Sequence, residues 1–239
     1  MAILLRNADR KQVAEVVRRL QQLADPKWVE GPARFGVRST HMLGVTVPQI
    51  RSLAKSIGTN HLLAAELWET EIFEARVLTA LIADPSQLTP EQMDQWAADF
   101  DSWAVCDACC CNLFDQSPLG WKKAIAWTRR KEEYVKRAAF SIMASLAVHD
   151  KSASDAKFLR FLPLIERASD DDRNFVKKAA NWALRGIGKR NAVLNAAAIG
   201  TARRIQATGT RSGRWIAADA LRELQSESVQ RRLKLQQTA

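Results

Sequence analysis

The sequence predicts an all-α protein in which pairs of helices stack into a curved solenoid. Gly (10) and Pro (7) are too rare among 239 residues for a turn-rich all-β chain. Apolar residues recur with helical spacing along most of the chain, and no segment shows a convincing strand pattern. Similar helix starts also recur at intervals of a few tens of residues. With 47% hydrophobic residues, the chain is long enough to bury a sizeable core.

Apolar spacing and capping residues place the helices in order along the chain. They are predicted at about 9–23, 48–57, 60–70, 72–83, 90–100, 102–116, 119–130, 132–149, 154–168, 172–190, 191–208 and 213–226. The stretch 25–46 contains five Pro and Gly residues and is predicted to be an irregular loop or hinge. A basic C-terminal tail is predicted after about residue 227.

Three of the predicted helices begin alike, with an aromatic residue three positions before a cation. The pairs are Phe73 and Arg76, Tyr134 and Arg137, and Phe175 and Lys178. Asp107 falls between them, so positions 76, 107, 137 and 178 are 31, 30 and 41 residues apart. Such a period in an all-helical chain is typical of HEAT-like or armadillo-like repeats. We therefore expect residues 1–239 to form a single solenoid domain, whose inner face would bind a long ligand.

Positive charge is concentrated in the C-terminal part of the chain. Residues 1–99 hold 11 Lys and Arg against 12 Asp and Glu, whereas residues 100–239 hold 25 against 14. This asymmetry accounts for the net charge of +10 and favours a polyanionic partner such as nucleic acid. The alternative, a generally basic surface, predicts an even spread of charge.

The sequence contains no apolar run of the roughly 20 residues that a membrane span needs. Residues 1–10 also lack the apolar core and cleavage site of a signal peptide. We therefore expect a cytoplasmic protein associated with the bacterial nucleoid, and no membrane partner.

The four cysteines lie within six residues, at Cys106, Cys109, Cys110 and Cys111. One interpretation is that they are small buried side chains of a helix. The other is a thiolate metal or redox site, although no histidine lies nearby and zinc usually takes ligands from two separated segments. We adopt packing as the prediction and expect neither a metal nor an organic cofactor.

The predicted helix 172–190 has one apolar and one basic stripe. The apolar stripe that would face the core consists of Val176, Ala179, Ala180, Ala183 and Ile187. The other stripe consists of Lys178, Trp182, Arg185 and Lys189. A tryptophan is therefore expected among cations on a face turned away from the core.

Trp103 and Asp107 are four residues apart, so on a helix they lie on one face about a turn apart. Alone, this pattern is more typical of a core tryptophan and a capping or ion-paired aspartate, and Trp182 and Arg137 are what favour a functional role. If successive helices pack roughly 8–10 Å apart, Asp107, Arg137 and Lys178 project as neighbours from one basic surface.

Indoles and a carboxylate in a basic groove suit the loss of a cationic purine from DNA. A purine alkylated at N3 or N7 leaves without protonation, and a carboxylate stabilises the oxocarbenium-like transition state. The three histidines, His41, His61 and His149, are not placed beside this cluster and are predicted to be structural.

Three segments of the chain resemble the AlkD-like DNA alkylation repair family. They are 102–107 (SWAVCD), 135–139 (VKRAA) and 176–185 (VKKAANWALR), and Leu43–Val45 with Pro48 and Arg51 extends the resemblance. The resemblance implies HEAT-like repeats and, in active members, a glycosylase that removes N3- or N7-alkylated purines from duplex DNA without flipping the damaged nucleotide out of the stack.

The resemblance also implies roles for individual residues. Trp103 and Asp107 match the active-site tryptophan and catalytic carboxylate, Arg137 the arginine that grips the backbone, and Trp182 the second aromatic. The expected DNA-binding residues are Lys136, Arg137, Lys177, Lys178, Arg185, Lys189, Arg190 and Arg214. Two alternatives stay open: a non-catalytic binder of damaged, bent or branched DNA, and a HEAT-like scaffold that binds an acidic protein.

Overall fold

The computed structural model describes residues 2–33, 37 and 41–237. Within those ranges the chain forms helices and connecting turns and no strand, which confirms the predicted fold class. The chain divides into two compact units, Met1–Pro118 and Leu119–Ala239. A single solenoid domain over the whole length stays a prediction.

The first unit contains seven α-helices within its described residues. They are α1 (Ala2–Gln22), α2 (Lys27–Ala33), α3 (Val47–Ile57), α4 (His61–Trp68), α5 (Phe73–Ile82), α6 (Pro90–Ala98) and α7 (Trp103–Cys109). Asn60 and Thr89 begin α4 and α6 by accepting a hydrogen bond from the backbone N–H three residues later. Asn and Thr are favoured N-cap residues, and these two helices begin where the sequence predicted.

Helix α5 is the centre of the first unit. It packs against α3, α4 and α7, and every residue from Glu74 to Ala80 is buried. Arg76 is among them: its guanidinium lies 5.0 Å from the centre of the Trp68 ring and donates to the backbone oxygens of Trp68 and Asp99. This cation of the repeat motif therefore stabilises the interior of the unit.

The second unit contains eight α-helices within its described residues. They are α8 (Gly120–Ala126), α9 (Glu133–His149), α10 (Asp155–Leu159), α11 (Leu162–Arg167), α12 (Asn174–Gly188), α13 (Ala192–Ala207), α14 (Arg211–Leu224) and α15 (Glu227–Gln237). Helices α9 and α12 form the most extensive contact. All five residues of the predicted apolar stripe of α12 are completely buried, as the sequence predicted.

The structure corrects three sequence-based boundaries. The predicted helix 154–168 is divided at Arg160 and Phe161, because Pro163 has no N–H to donate to the carbonyl of Leu159. Part of the predicted loop 25–46 is the helix α2, while residues 34–36 and 38–40 of that loop lie outside the described residues. The predicted tail after residue 227 is the helix α15, which buries Val229 and Leu233.

Candidate functional site

Helix α7 of the first unit carries Trp103 and Asp107. Ser102 begins this helix, because its hydroxyl accepts a hydrogen bond from the Val105 N–H at 3.5 Å. The side chains of Trp103 and Asp107 are half-buried, whereas Val105 and Cys106 between them are completely buried. The helix therefore separates a core face from a partly exposed face that carries the indole and the carboxylate.

A π-helical turn, Cys110–Phe114, follows α7 directly. The Asp115 N–H donates to the Cys110 carbonyl at 3.3 Å, and the Asn112 side chain donates to the Ala108 carbonyl at 2.7 Å. Arg51 of α3 donates to the Asn112 side-chain oxygen at 3.5 Å. Such wide turns occur often at functional sites, and this one connects Arg51 to the segment that follows Asp107.

The cysteines of this segment face the interior. Cys106, Cys109 and Cys110 are completely buried, and Cys111 is half-buried. Burial raises the pKa of the Cys109 and Cys110 thiols well above the ordinary value, so both are protonated near neutral pH. Among the described residues, no group of three or more His, Cys, Asp or Glu could hold a metal ion. These observations support the packing interpretation.

Glu74 is a buried carboxylate that sequence analysis did not single out. Its oxygens accept hydrogen bonds from the backbone N–H groups of Leu43, Gly44 and Val45, at 2.7 to 3.2 Å. Gly44 has a φ of +83°, and a Cβ there would lie 2.1 Å from the Asp25 carbonyl oxygen. The segment Leu43–Val45 therefore requires both a glycine and this acid. The available signal was that Glu74 is the one acidic residue in the sequence of the predicted helix 72–83.

Arg137 and Trp182 lie on the paired helices α9 and α12 of the second unit. Arg137 was expected at the edge of the core, but it is buried, and its guanidinium donates to the Phe175 carbonyl at 2.8 Å. Trp182 is half-buried and lines a cavity of about 560 Å³. Asp107 belongs to the first unit, so the predicted neighbourhood of Asp107, Arg137 and Lys178 stays a prediction.

Several of the predicted DNA-binding cations are paired with acids of the same unit. Lys136 binds Asp171 at 2.8 Å, and both Arg185 and Lys189 bind Glu223. These ion pairs join residues 34 to 38 positions apart and were not visible in the sequence. A DNA phosphate would have to compete with each of these carboxylates.

The remaining cations of the set differ in their surroundings. Lys178 and Arg214 are exposed. The Lys177 ammonium lies 5.4 Å from the centre of the Trp215 ring, and this indole is itself 40% exposed. Arg190 donates to the Ala147 carbonyl at 2.8 Å. Lys178 and Arg214 are therefore the most accessible members.

Asp171→Asn is expected to destabilise the second unit by about 1 to 3 kcal/mol near neutral pH. Arg173, and next Lys136, outweigh burial and hold the pKa of this carboxyl below its ordinary 3.8. The folded state thus stabilises the ionised form. Its contribution is complete above that ordinary value and is lost as the pH falls towards the lowered pKa.

Urea denaturation of wild type and Asp171→Asn at about pH 7 and about pH 3 measures this effect. The difference in unfolding free energy between the two proteins should be smaller at the lower pH. The exposed neighbour Asp172 supplies the control Asp172→Asn, which should change stability little at either pH. A difference that is absent or independent of pH would contradict the assignment.

Both units are built from packed α-helices. The first carries Trp103 and Asp107 on α7, and the second is rich in cations. Together these features define a protein of helical repeats. Residues 16–224 match the model of the family described as DNA alkylation repair enzyme, and the chain therefore belongs to this family. The predicted family is thus confirmed. No helix in the described part of the chain is long and apolar enough to cross a membrane.

A solved structure resembles the chain over most of its length. It is described as "a new family of proteins related to the HEAT-like repeat DNA glycosylases with affinity for branched DNA structures". The two chains are 21% identical, the TM-score is 0.71, and the match covers 80% of this chain and 82% of the other. This likeness supports the HEAT-like fold. A comparison with curated proteins found no match.

Proposed function

We propose that this protein is a DNA glycosylase that excises cationic N3- or N7-alkylated purines from duplex DNA. The observation that carries the proposal is membership of the DNA alkylation repair family over residues 16–224. The partly exposed carboxylate and indole of α7, and the basic second unit, supply suitable residue types. The product would be an abasic site, the starting point of base excision repair.

Asp107 would act on the sugar of the damaged nucleotide. Cleavage of the glycosidic bond leaves positive charge on the sugar, and an ionised carboxylate nearby stabilises that charge and orients the attacking water. The base departs neutral, because the alkyl group has already given it a positive charge. The reaction therefore needs no general acid to protonate the leaving group and no metal or organic cofactor to activate it.

The other residues of the proposal position the DNA. Trp103 and Trp182 would present aromatic surface to the damaged nucleotide, which stabilises both the cationic base and the developing charge on the sugar. Arg137 would bind phosphate, which is the role that the family resemblance implies for it. The exposed cations Lys178 and Arg214 would continue the backbone contacts. The damaged base would stay stacked during excision.

Wild-type protein is expected to release N7-methylguanine and N3-methyladenine from alkylated duplex faster than they are lost spontaneously. Uracil and hypoxanthine should be released much more slowly, because neutral bases need a proton donor to leave. Single-turnover release of labelled base from matched duplexes measures both rates. Release no faster than spontaneous depurination would contradict the enzymatic proposal.

A second candidate function is the binding of branched DNA without catalysis. The solved structure with a TM-score of 0.71 favours it, since that protein is described as having affinity for branched DNA structures. Tight binding of branched DNA without base release would support this candidate. The scaffold alternative predicts weak DNA binding without the steep fall in affinity that salt produces when Lys and Arg neutralise phosphates.

A further inference from the structure

A cavity of about 560 Å³ lies within the second unit. Its walls come from the end of α9, the loop after it, α12 and α15. Four cations line it, Lys151, Lys189, Arg190 and Arg232, against one acid, Asp155. The Asp155 carboxylate accepts a hydrogen bond from Asn191 at 2.8 Å. Lys189 is paired with Glu223, so Lys151, Arg190 and Arg232 remain against Asp155, and this excess of positive charge suits an anionic ligand.

Arg190 places a positive charge in this wall. Its two terminal nitrogens donate to the backbone oxygens of Ala147 and Ala153, at 2.8 and 3.4 Å, and its guanidinium lies 4.0 Å from the centre of the Phe158 ring. The Nε atom is buried and has no hydrogen-bond partner. Burial also lowers the pKa of Arg190, against the opposing effect of Asp150 and Asp155. Because the terminal nitrogens are occupied and the Nε atom is closed off from solvent, Arg190 would act on a bound anion through its positive charge and not through a hydrogen bond.

Two other cations of the cavity differ in their freedom to bind. Arg232 donates one nitrogen to the Lys189 carbonyl at 2.9 Å, which attaches α15 to the end of α12. Lys151 is exposed, and its ammonium makes no hydrogen bond or ion pair among the described residues. A phosphate in the cavity would therefore meet Lys151 and Arg232.

The size of the cavity indicates a ligand larger than a phosphate ion. Its volume lies in the range of pockets that hold small organic molecules, about 300 to 1,000 Å³. Trp182 adds an aromatic wall, and nucleic-acid bases stack well on indoles. A base inside a continuous duplex has both faces covered by its neighbours, so only an unpaired base is free to occupy such a cavity.

We propose that this cavity binds one unpaired nucleotide of a DNA strand, its phosphate held by Lys151 and Arg232 near the positive charge of Arg190 and its base placed against Trp182. The proposal rests on the proposed function in taking DNA as the ligand, and the two share Trp182, whose indole would face either a damaged nucleotide of duplex DNA or an unpaired base. It adds a site for unpaired nucleotides to a protein proposed to act on duplex DNA.

Fluorescence anisotropy with two labelled duplexes tests this site. The duplexes have identical sequences and blunt ends, and one carries a single unpaired nucleotide at its centre. Wild type should bind the second duplex about 10-fold more tightly, a typical effect of stacking one base on an aromatic side chain. Because the ends are the same in both, terminal phosphates contribute equally. Equal affinity of wild type for the two duplexes would overturn the proposal.

The double variant Lys151→Ala/Arg232→Ala should reduce the preference to less than about twofold and leave binding of the paired duplex nearly unchanged. The matched control is Lys122→Ala/Arg231→Ala, since neither residue lines the cavity and Arg231 pairs with Glu227 on α15. Lys151→Ala alone should lower the preference in part, and this exposed residue has no contact that folding requires. An unchanged preference in both cavity variants, or an equal loss in the control, would refute the site.

The result of this experiment can be distinguished from the result that tests the proposed function. Release of alkylated bases from fully paired duplex tests the glycosylase proposal, whereas the preference for the unpaired nucleotide and its loss in the cavity variants test this site. A protein that shows the preference without base release would retain the site and lose the glycosylase proposal. Base release without the preference would support the glycosylase proposal and refute the cavity site.

Discussion

Asp107→Asn is expected to slow the release of alkylated purines by about 10²- to 10³-fold, which corresponds to about 3 to 4 kcal/mol of transition-state stabilisation. Asparagine keeps the size and shape of the side chain but removes the negative charge that opposes the developing oxocarbenium ion. DNA affinity should stay the same or increase, because a carboxylate repels phosphates.

Single-turnover release of N7-methylguanine at saturating protein compares the two proteins at equal occupancy of the DNA. The matched control is Asp101→Asn, an exposed aspartate in the loop before α7, which should leave the rate within about twofold. Equal rates for wild type and Asp107→Asn would remove the catalytic role from this residue. An equal slowing in Asp107→Asn and Asp101→Asn would also remove it.

Glu74→Ala is expected to destabilise the first unit by at least about 3 kcal/mol. The carboxylate accepts hydrogen bonds from three successive backbone N–H groups, of Leu43, Gly44 and Val45. Those of Gly44 and Val45 are buried, and a buried donor that loses its partner costs about 1 to 3 kcal/mol. Since Glu74 also lies at the start of the buried helix α5, its loss should affect the whole unit.

Urea denaturation followed by circular dichroism measures this loss. Glu69→Ala is the control, because Glu69 is exposed and should change stability by less than about 0.5 kcal/mol. Glu74→Gln should fall between wild type and Glu74→Ala, since an amide retains one acceptor oxygen. If Glu74→Ala unfolds at the same urea concentration as wild type, the three hydrogen bonds contribute nothing to stability.

The sequence was most informative where a helix has one strongly apolar stripe. For α12, the spacing of Val176, Ala179 and Ala183 identified the core face, and all three are completely buried. The same spacing identified α9, where Val135, Ala138 and Ile142 are buried. Burying such a stripe packs the helix against its neighbour. The spacing of apolar residues along the chain and the packing in the fold therefore favour the same helix in the same orientation.

The sequence was least informative where charged residues meet across the fold. Arg185 and Lys189 were predicted on a basic stripe turned away from the core, and Lys136 was predicted to bind DNA. Each of the three is bound to a carboxylate more than 30 positions away. Arg137 belongs to the same repeat motif as Arg76, and both are buried against backbone carbonyls. The spacing of residues within one helix shows which side chains share a face. It does not show which carboxylate or backbone carbonyl of another helix those side chains contact.

By itself, the sequence determined the helical class, most of the helices and the family, because these depend on residues that are neighbours along the chain. Only the tertiary structure decided that Glu74 holds Leu43–Val45, that α15 closes one side of the cavity lined by Trp182, and which cations stay accessible. The helix α15 buries Val229 and Leu233, and its sequence alone is too polar for it to be recognised. Its stability comes from the surface on which it packs, since short helices are marginal without tertiary contacts.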